Sequence, residues 1–510
     1  MNLRKLFSII GVSVMTVSAT AMTEDHDLSD KIVESQSVRN NFREQVFANP
    51  AARFFKSNYS LTSIHFNYIK DNSSEQKIAQ LGKENSFWNL NAQSQYIIDK
   101  DNIVWGEATY KRGCREDVRW NETSDFSLLY PYVMADVKGG DLKYEQYFFN
   151  GGYAGRFGNW ILGASMYYRA LDEYRTKDPR PNNVVADLHG KIGAGYVIGN
   201  YSLNLGLYGS KYKQTNELKY FNEIGASKEY HLTGLGNEFV RFSGASNKVF
   251  YKGNEYGTSF DIVPVSGYGI SFSVDYSRFN FDKILSDLNK LALNEVSENR
   301  LQGEAAWTGR TGRSSFYGIK ADARYFKRKG YDNLFGDAAN NVYPKIGSSQ
   351  TYNSKVMYGR LSGFYECTLG KHFPIGASPY VAYGSFDSSH SESANKFKTS
   401  SYSVGTLLQG SYKDKVNVLR LSVNAEYRIG NKTELNISDE TLCHKDLYDI
   451  LNHTANYFAK DEFNTKVSLR YQYNIKNKNV SCFVETSWMH RSYLNNANDN
   501  MLTLTTGINL

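Results

Sequence analysis

From about residue 57 onward, apolar and polar residues alternate with a period of two, over runs too long for an ordinary globular sheet. Trp88, Leu90 and Ala92 alternate with Asn89, Asn91 and Gln93. Leu188, Ile192, Ala194, Tyr196 and Ile198 alternate with Asp187, His189, Lys191, Gly193 and Gly195. Leu419, Leu421, Val423, Ala425 and Tyr427 alternate with Arg420, Ser422, Asn424, Glu426 and Arg428, and Val467, Leu469, Tyr471 and Tyr473 repeat the pattern. Strict alternation builds a strand with one apolar and one polar face. Runs near ten residues exceed the ~5–6 usual in globular sheets and suit a tilted strand crossing a bilayer.

The connections sharpen this reading. Short turns such as Asp99-Lys100-Asp101-Asn102, Gly199-Asn200 and Gly370-Lys371-His372 alternate without a break with longer polar connections, among them 112–140, 215–252, 282–297 and 430–461. That asymmetry predicts an all-β fold, a transmembrane antiparallel up-and-down β-barrel with short periplasmic turns and long extracellular loops. Counting through gives about 18 strands, within a range of about 14–20. The last strand places Leu502, Leu504, Ile508 and Leu510 on one face and is expected to close against the first. Leu421 and Val423 are expected to face lipid, and Arg420 and Asn424 the lumen. A segment at 228–242 reads as a hairpin arm inside a loop. Two loop stretches carry apolar residues at helical spacing: Ile284, Leu285, Leu288, Leu291 and Ala292, and Leu442, Leu447, Ile450, Leu451 and Ala455.

Composition agrees. The chain has 39 Tyr, 29 Phe and 41 Gly but only 8 Pro among 510 residues, a balance that fits pleated ladders. Mean hydropathy is −0.52, against a bundle of membrane helices. Residues 1–21 read as a Sec-type signal peptide, with Arg4 and Lys5 before the apolar run Leu6 to Val17 and a small-residue site at Ala19-Thr20-Ala21. The net charge of +7 is mild, and no basic run calls for nucleic acid. Residues 22–56 read as an N-terminal periplasmic segment or small plug, with an acidic start and a helix-like stretch stopped at Asn49-Pro50. The barrel proper is assigned to 57–510. Cys114, Cys367, Cys443 and Cys482 form no metal-spaced pair and read as isolated thiols or an incidental disulfide.

Polar faces of several strands carry mixed charges: Asp187, His189 and Lys191; Lys320, Asp322 and Arg324; Arg420, Glu426 and Arg428; Lys466 and Arg470. These are the expected lumen-lining residues, either as a selective aqueous path or as a charge-paired ladder. The glycines at 193–199 lack the Gly-Lys-Ser/Thr and helix of a phosphate loop, and read as small strand residues. The nine His are scattered. His390 reads as solvated in a polar loop, and His444 has no second ligand at metal spacing. No catalytic residue, metal or cofactor is assigned, and the chain reads as a non-enzyme.

Asn49, Pro50 and Ala51, just before the first strand, resemble the barrel-entrance motif of long-chain fatty-acid transporters and of barrels associated with type IX secretion. The whole chain resembles uncharacterised outer-membrane β-barrel families of Bacteroidota-type bacteria. The resemblance implies an outer-membrane location in a Gram-negative cell, contact with outer-membrane lipid, and folding by the barrel assembly machinery. The expected function is a porin-like channel, transporter or accessory for small-solute uptake, working with an uptake or secretion partner. The alternatives are a structural or surface-interaction barrel in a secretion or adhesion complex, and, less favoured, an outer-membrane enzyme.

Overall fold

The computed structural model describes residues 27–222, 228–243, 248–312, 314–339, 342–476, 478–493 and 497–510. The signal peptide expected at 1–21 lies outside the described residues.

Eighteen antiparallel strands form one closed barrel. They are β1 Leu61–Ser73, β2 Glu84–Asp99, β3 Asn102–Val118, β4 Gly140–Phe157, β5 Trp160–Tyr174 and β6 Arg180–Ile198. Next come β7 Tyr201–Lys219, β8 Lys248–Pro264, β9 Gly269–Leu285, β10 Leu291–Thr311, β11 Ser315–Phe335 and β12 Lys345–Leu369. The circuit ends with β13 Phe373–His390, β14 Lys396–Lys413, β15 Asn417–Asn436, β16 Glu462–Asn474, β17 Ser481–Tyr493 and β18 Asn498–Asn509. Each pairs with its sequence neighbour, and β18 closes on β1 with Ile508 opposite Ile64 and Leu504 opposite Tyr68. Closure leaves no open edge whose amides would need another partner. No helix among the described residues is long and apolar enough to cross a membrane.

The expected turns are present and the expected loops are shorter. Strands extend up to 25 residues, so the connection anticipated at 282–297 shrinks to 286–290. The helix anticipated there is absent. Leu285 and Leu291 instead sit opposite each other at a hairpin tip, both buried. Their spacing with Leu288 suits a hairpin with two inward ends as well as it suits a helix. The second expected helix forms as Asp446–Ala459, with Leu447 and Ala455 buried. The hairpin arm forms too: Tyr230–Gly234 pairs with Asn237–Glu238, and the longer arm also pairs with Met134–Ala135.

The outer wall is apolar. Leu188, Ile192, Leu205, Leu361, Val404, Leu421, Leu469 and Leu502 are all exposed on it. Aromatic pairs bound this belt: Tyr383 with Tyr402 at 5.1 Å toward the long-loop end, and Phe373 with Tyr412 at 5.2 Å at the short-turn end. Ten residues separate the two levels on each strand. At ~3.3 Å per residue and a tilt near 40°, the belt is about 25 Å tall. Leu421 is 48% exposed on this face, whereas Arg420 reaches inward to Glu485 at 3.2 Å. Val423 lies in register between Leu408 and Val467. A Val423→Arg substitution is therefore expected to cost ~2–4 kcal/mol if it sits near the midplane, read from denaturant unfolding in lipid vesicles. An unchanged unfolding midpoint would place this face elsewhere.

Candidate functional site: the barrel lumen

Above the outer belt, the strands β5–β11 turn a second apolar face inward. In β9, Ile270, Phe272 and Tyr276 are exposed outside, while Phe279, Phe281 and Leu285 are buried inside. In β8, Tyr256 and Phe260 face out and Val249 and Tyr251 face in. The apolar phase switches parity partway up each strand, and the inner faces need something to cover them.

The connection 119–139 supplies it. This stretch, anticipated as polar, contains Leu128-Leu129-Tyr130-Pro131-Tyr132-Val133-Met134-Ala135. Trp120, Leu129, Tyr132, Val133 and Met134 are fully buried and share one core with Val185, Tyr212, Tyr251, Phe281 and Leu293. The hairpin at 230–238 and Leu447 of the Asp446–Ala459 helix join it. The long-loop end of the barrel thus carries a folded cap inside its rim.

Polar groups tie the cap to the wall. Asn183 and Asn216 each donate to the Glu122 carbonyl at 2.8 Å, and Lys283 donates to the Val133 carbonyl at 3.3 Å. Arg169 and Tyr212 hold Asp125, at 2.6 and 2.9 Å. Arg175 pairs with Asp136 at 2.9 Å, their side chains 1% and 0% exposed. Burial raises the Glu122 carboxyl well above the usual carboxylate range, with Asp136 adding to the effect.

Glu229, beside the hairpin, is pushed up to about 7 by burial, with Tyr220 opposing and Asp136 reinforcing. A carboxyl whose folded pKa exceeds its ordinary 4.5 binds more protons folded than unfolded. Its contribution to cap stability is full below 4.5 and is lost as pH rises toward 7. His231 works the other way: burial lowers it, so stability falls as pH drops below its ordinary 6.5. Glu229→Gln isolates the first effect. Protection in 119–139, with the intrinsic base-catalysed rate divided out, should gain less between pH 8 and pH 5 in this variant than in the wild type. An identical pH response in both proteins would remove Glu229 from the account.

Below the cap, the inner wall is polar and largely paired. Asp187 lies 3.7 Å from Arg169, Lys320 3.2 Å from Glu304, and Arg428 3.3 Å from Glu462. Arg420 and Arg470 share Glu485, at 3.2 and 3.3 Å. Glu426 accepts from Tyr380. His189 stacks on Tyr167 at 4.9 Å. Lys191 lies over Tyr208, and Arg324 over Tyr358. Asp322 stands opposite Glu304 and Arg360 in register, and Lys466 opposite Asn424. His390, anticipated as solvated, is buried at the end of β13 with Thr233 3.3 Å from its ring. His444 packs against Trp120 with the ring planes tilted by 49°. All four cysteines are free, and no described residues form a His/Cys/Asp/Glu group able to hold a metal.

Near the short turns, residues 27–56 run around the inside of the wall. They form α1 Leu28–Ser35, α2 Val38–Phe42 and two short 3-10 turns, Gln45–Ala48 and Ala52–Phe55. Asp30 pairs with Lys413 of β14, and Gln36 accepts from Arg420 of β15. The Arg39 amide donates to Glu366 of β12, and the Phe42 carbonyl accepts from Lys320 of β11. Phe47 packs with Val263 of β8. Arg53 stacks over Trp105 of β3 at 4.7 Å. The segment meets the strands in roughly descending order and then enters β1, so it hugs the wall as a belt.

Asn49-Pro50-Ala51 is the tightest part of this belt. Asn49 is 1% exposed. Its amide donates to Asp261 at 2.9 Å, and its side-chain oxygen accepts from the Ala51 amide at 3.0 Å. The wall beneath has no side chains: a Cβ on Gly163 would stand 2.6 Å from the Pro50 carbonyl carbon, and one on Gly193 would strike the Asn49 amide. Gly193, read as a small strand residue, therefore has a specific partner, and Gly163 serves the same floor. Inside the belt, a polar cavity of about 460 Å³ is bounded by belt residues 32–59 on one side and by β1–β4 on the other.

Residues 50–510 match a family described as "Family of unknown function (DUF6850)", and the chain belongs to that family. No curated protein matches it. Among solved structures, the ferric enterobactin receptor PfeA of Pseudomonas aeruginosa is similar with a TM-score of 0.36 and 6% identity, over 88% of this chain and 80% of that one. The ferric preacinetobactin receptor BauA of Acinetobacter baumannii gives 0.35 and 8%, over 88% and 80%. The toluene transporter TbuX of Ralstonia pickettii gives 0.30 and 8%, over 91% and 92%. Values this low transfer no ligand to this chain.

Proposed function

We propose that this family member is an outer-membrane barrel that takes in small polar solutes through a gated lumen. The membrane part of the reading rests on the closed ladder, the apolar belt about 25 Å tall and the paired aromatic rows at its two levels. The transport part rests on one observation: a polar, charge-paired lumen lies between an apolar cap at one end and a polar cavity inside the N-terminal belt at the other. A wall built only for stiffness has no need of a cavity inside the belt. The cap makes the barrel a gated path rather than an open pore, and a partner on the periplasmic side would act on the belt. Export by the 1–21 signal and insertion by the barrel assembly machinery belong to the same reading.

The cap also supports a second reading, a surface-interaction barrel that presents a fixed extracellular face. Fractionation and bilayer recording separate the two. The protein should enter the outer-membrane fraction and migrate differently on gels before and after heating. It should be silent in a planar bilayer while the cap is intact and conduct when the cap is removed. Recovery as a soluble periplasmic protein would overturn the membrane placement. Silence after cap removal, with stoichiometric co-purification of a partner, would select the surface-interaction reading.

A further inference from the structure

The aperture inside the belt differs in chemistry from the lumen above it. Its charged groups each have a contact of their own: Lys56 pairs with Glu44 at 2.6 Å, Arg53 lies over the Trp105 ring, and Glu107 accepts from Asn91 at 2.7 Å. What remains facing the cavity is a set of amides. Asn41 on the belt, Gln93 on β2 and Asn150 on β4 all border it, and none of their side-chain amides has a hydrogen-bond partner among the described residues. Gln93 and Asn150 both stand opposite Glu107 in register, one strand to either side of it, so the two amides flank that carboxylate at two strand spacings, about 10 Å apart.

An unpaired primary amide offers two donors and an acceptor without carrying charge. A hydroxyl is also both donor and acceptor, so amides meet a polyol in either sense. An anion entering this space would meet Glu44 and Glu107, and a cation would meet Arg53 and Lys56. The lining thus carries two groups of each sign, which favours neither kind of ion. The cavity volume lies in the lower part of the ~300–1,000 Å³ typical of small-molecule sites.

We propose that this cavity is a binding site for a neutral polyhydroxylated solute of mono- or disaccharide size, held by Asn41, Gln93 and Asn150. The inference rests on the uptake reading only for its purpose; binding itself does not require transport.

The test uses the full chain in a detergent without a sugar headgroup, with sucrose, gluconate and glucosamine as probes. Saturation-transfer NMR and calorimetry should show sucrose binding in preference to both charged probes. Asn41→Leu, Gln93→Leu and Asn150→Leu should each weaken sucrose about three- to tenfold, the worth of one hydrogen bond. These side chains hold no other part of the protein, and the heat-dependent gel shift verifies that each variant is folded. Equal binding of the three probes, or an unchanged sucrose affinity in the folded triple variant, would overturn the site. Vesicles carrying the cap-shortened barrel keep the two readings apart. If sucrose binds but does not enter, the site stands and uptake falls. If all three solutes enter alike without preferential binding, uptake stands and the site falls.

Discussion

Replacing residues 119–139 with a short Gly/Ser turn should convert a silent barrel into one that conducts steadily in a planar bilayer. The expectation follows from where the apolar surface lies. Trp120, Leu129, Tyr132 and Met134 fill the space between the inner faces of β5–β11 as one buried core. Cutting the connection removes the filler but leaves the ladder, because every strand pairs only with its neighbours. A subtler variant gives the same answer in energetic terms. Arg175→Met leaves Asp136 fully buried without its cation. Breaking a buried pair on one side costs ~3–5 kcal/mol, enough to favour partial release of the loop. Protease should then cut within 119–139 of the folded variant, and recordings should show intermittent openings. If the shortened barrel folds and stays silent, the cap is not what closes the lumen.

The barrel was legible in the sequence because its signals are local. Period-two alternation and short Gly, Asn and Asp turns are properties of neighbouring residues, and they place the strands and their number without reference to anything distant. The cap was not legible for the same reason. Phe279 and Phe281 alternate with polar residues as cleanly as Ile270 and Phe272 do, and only counting parity from the turn reveals that they point the other way. The apolar run from Leu128 to Ala135 was the available clue that the connection is not a solvated loop. The error at 284–292 has a similar origin, since a spacing of three between Leu285, Leu288 and Leu291 cannot separate a helix from a hairpin with buried ends. At the lumen, charges could be assigned to the polar face strand by strand. Their partners could not, because Arg420 meets Glu485 across the register of three strands, with Arg470 of β16 between them. The role of Asn49 was out of reach altogether: its partner Asp261 is 212 residues away.

That distant pairing leads to the second large effect. Gly163→Leu and Gly193→Phe should each unseat the N-terminal belt from an otherwise intact barrel. At Gly163 the added Cβ alone would sit 2.6 Å from the backbone of Pro50. Backbone of a proline-locked turn cannot swing aside as the tip of a flexible side chain can. Forcing extra atoms into a packed site typically costs ~1–3 kcal/mol and more where backbone must move. The belt's polar ties are individually modest, so the added cost is expected to outweigh the contacts that residues 45–52 make with the wall beside this floor. Undocking also costs Asp261 its bond from the Asn49 amide, leaving the one from Ser273 at 2.6 Å. The outer wall is untouched, so the heat-dependent gel shift should survive. Protease added to the folded variant should remove residues 27–56, which the wild type protects. Conductance should remain low, because the cap still fills the far end, and should exceed that of the cap-shortened barrel once both changes are combined. A belt that stays protected in Gly193→Phe would mean that Asn49-Pro50-Ala51 does not rest on the glycine floor. A single glycine variant that conducts by itself would mean that the belt, and not the cap, closes the lumen.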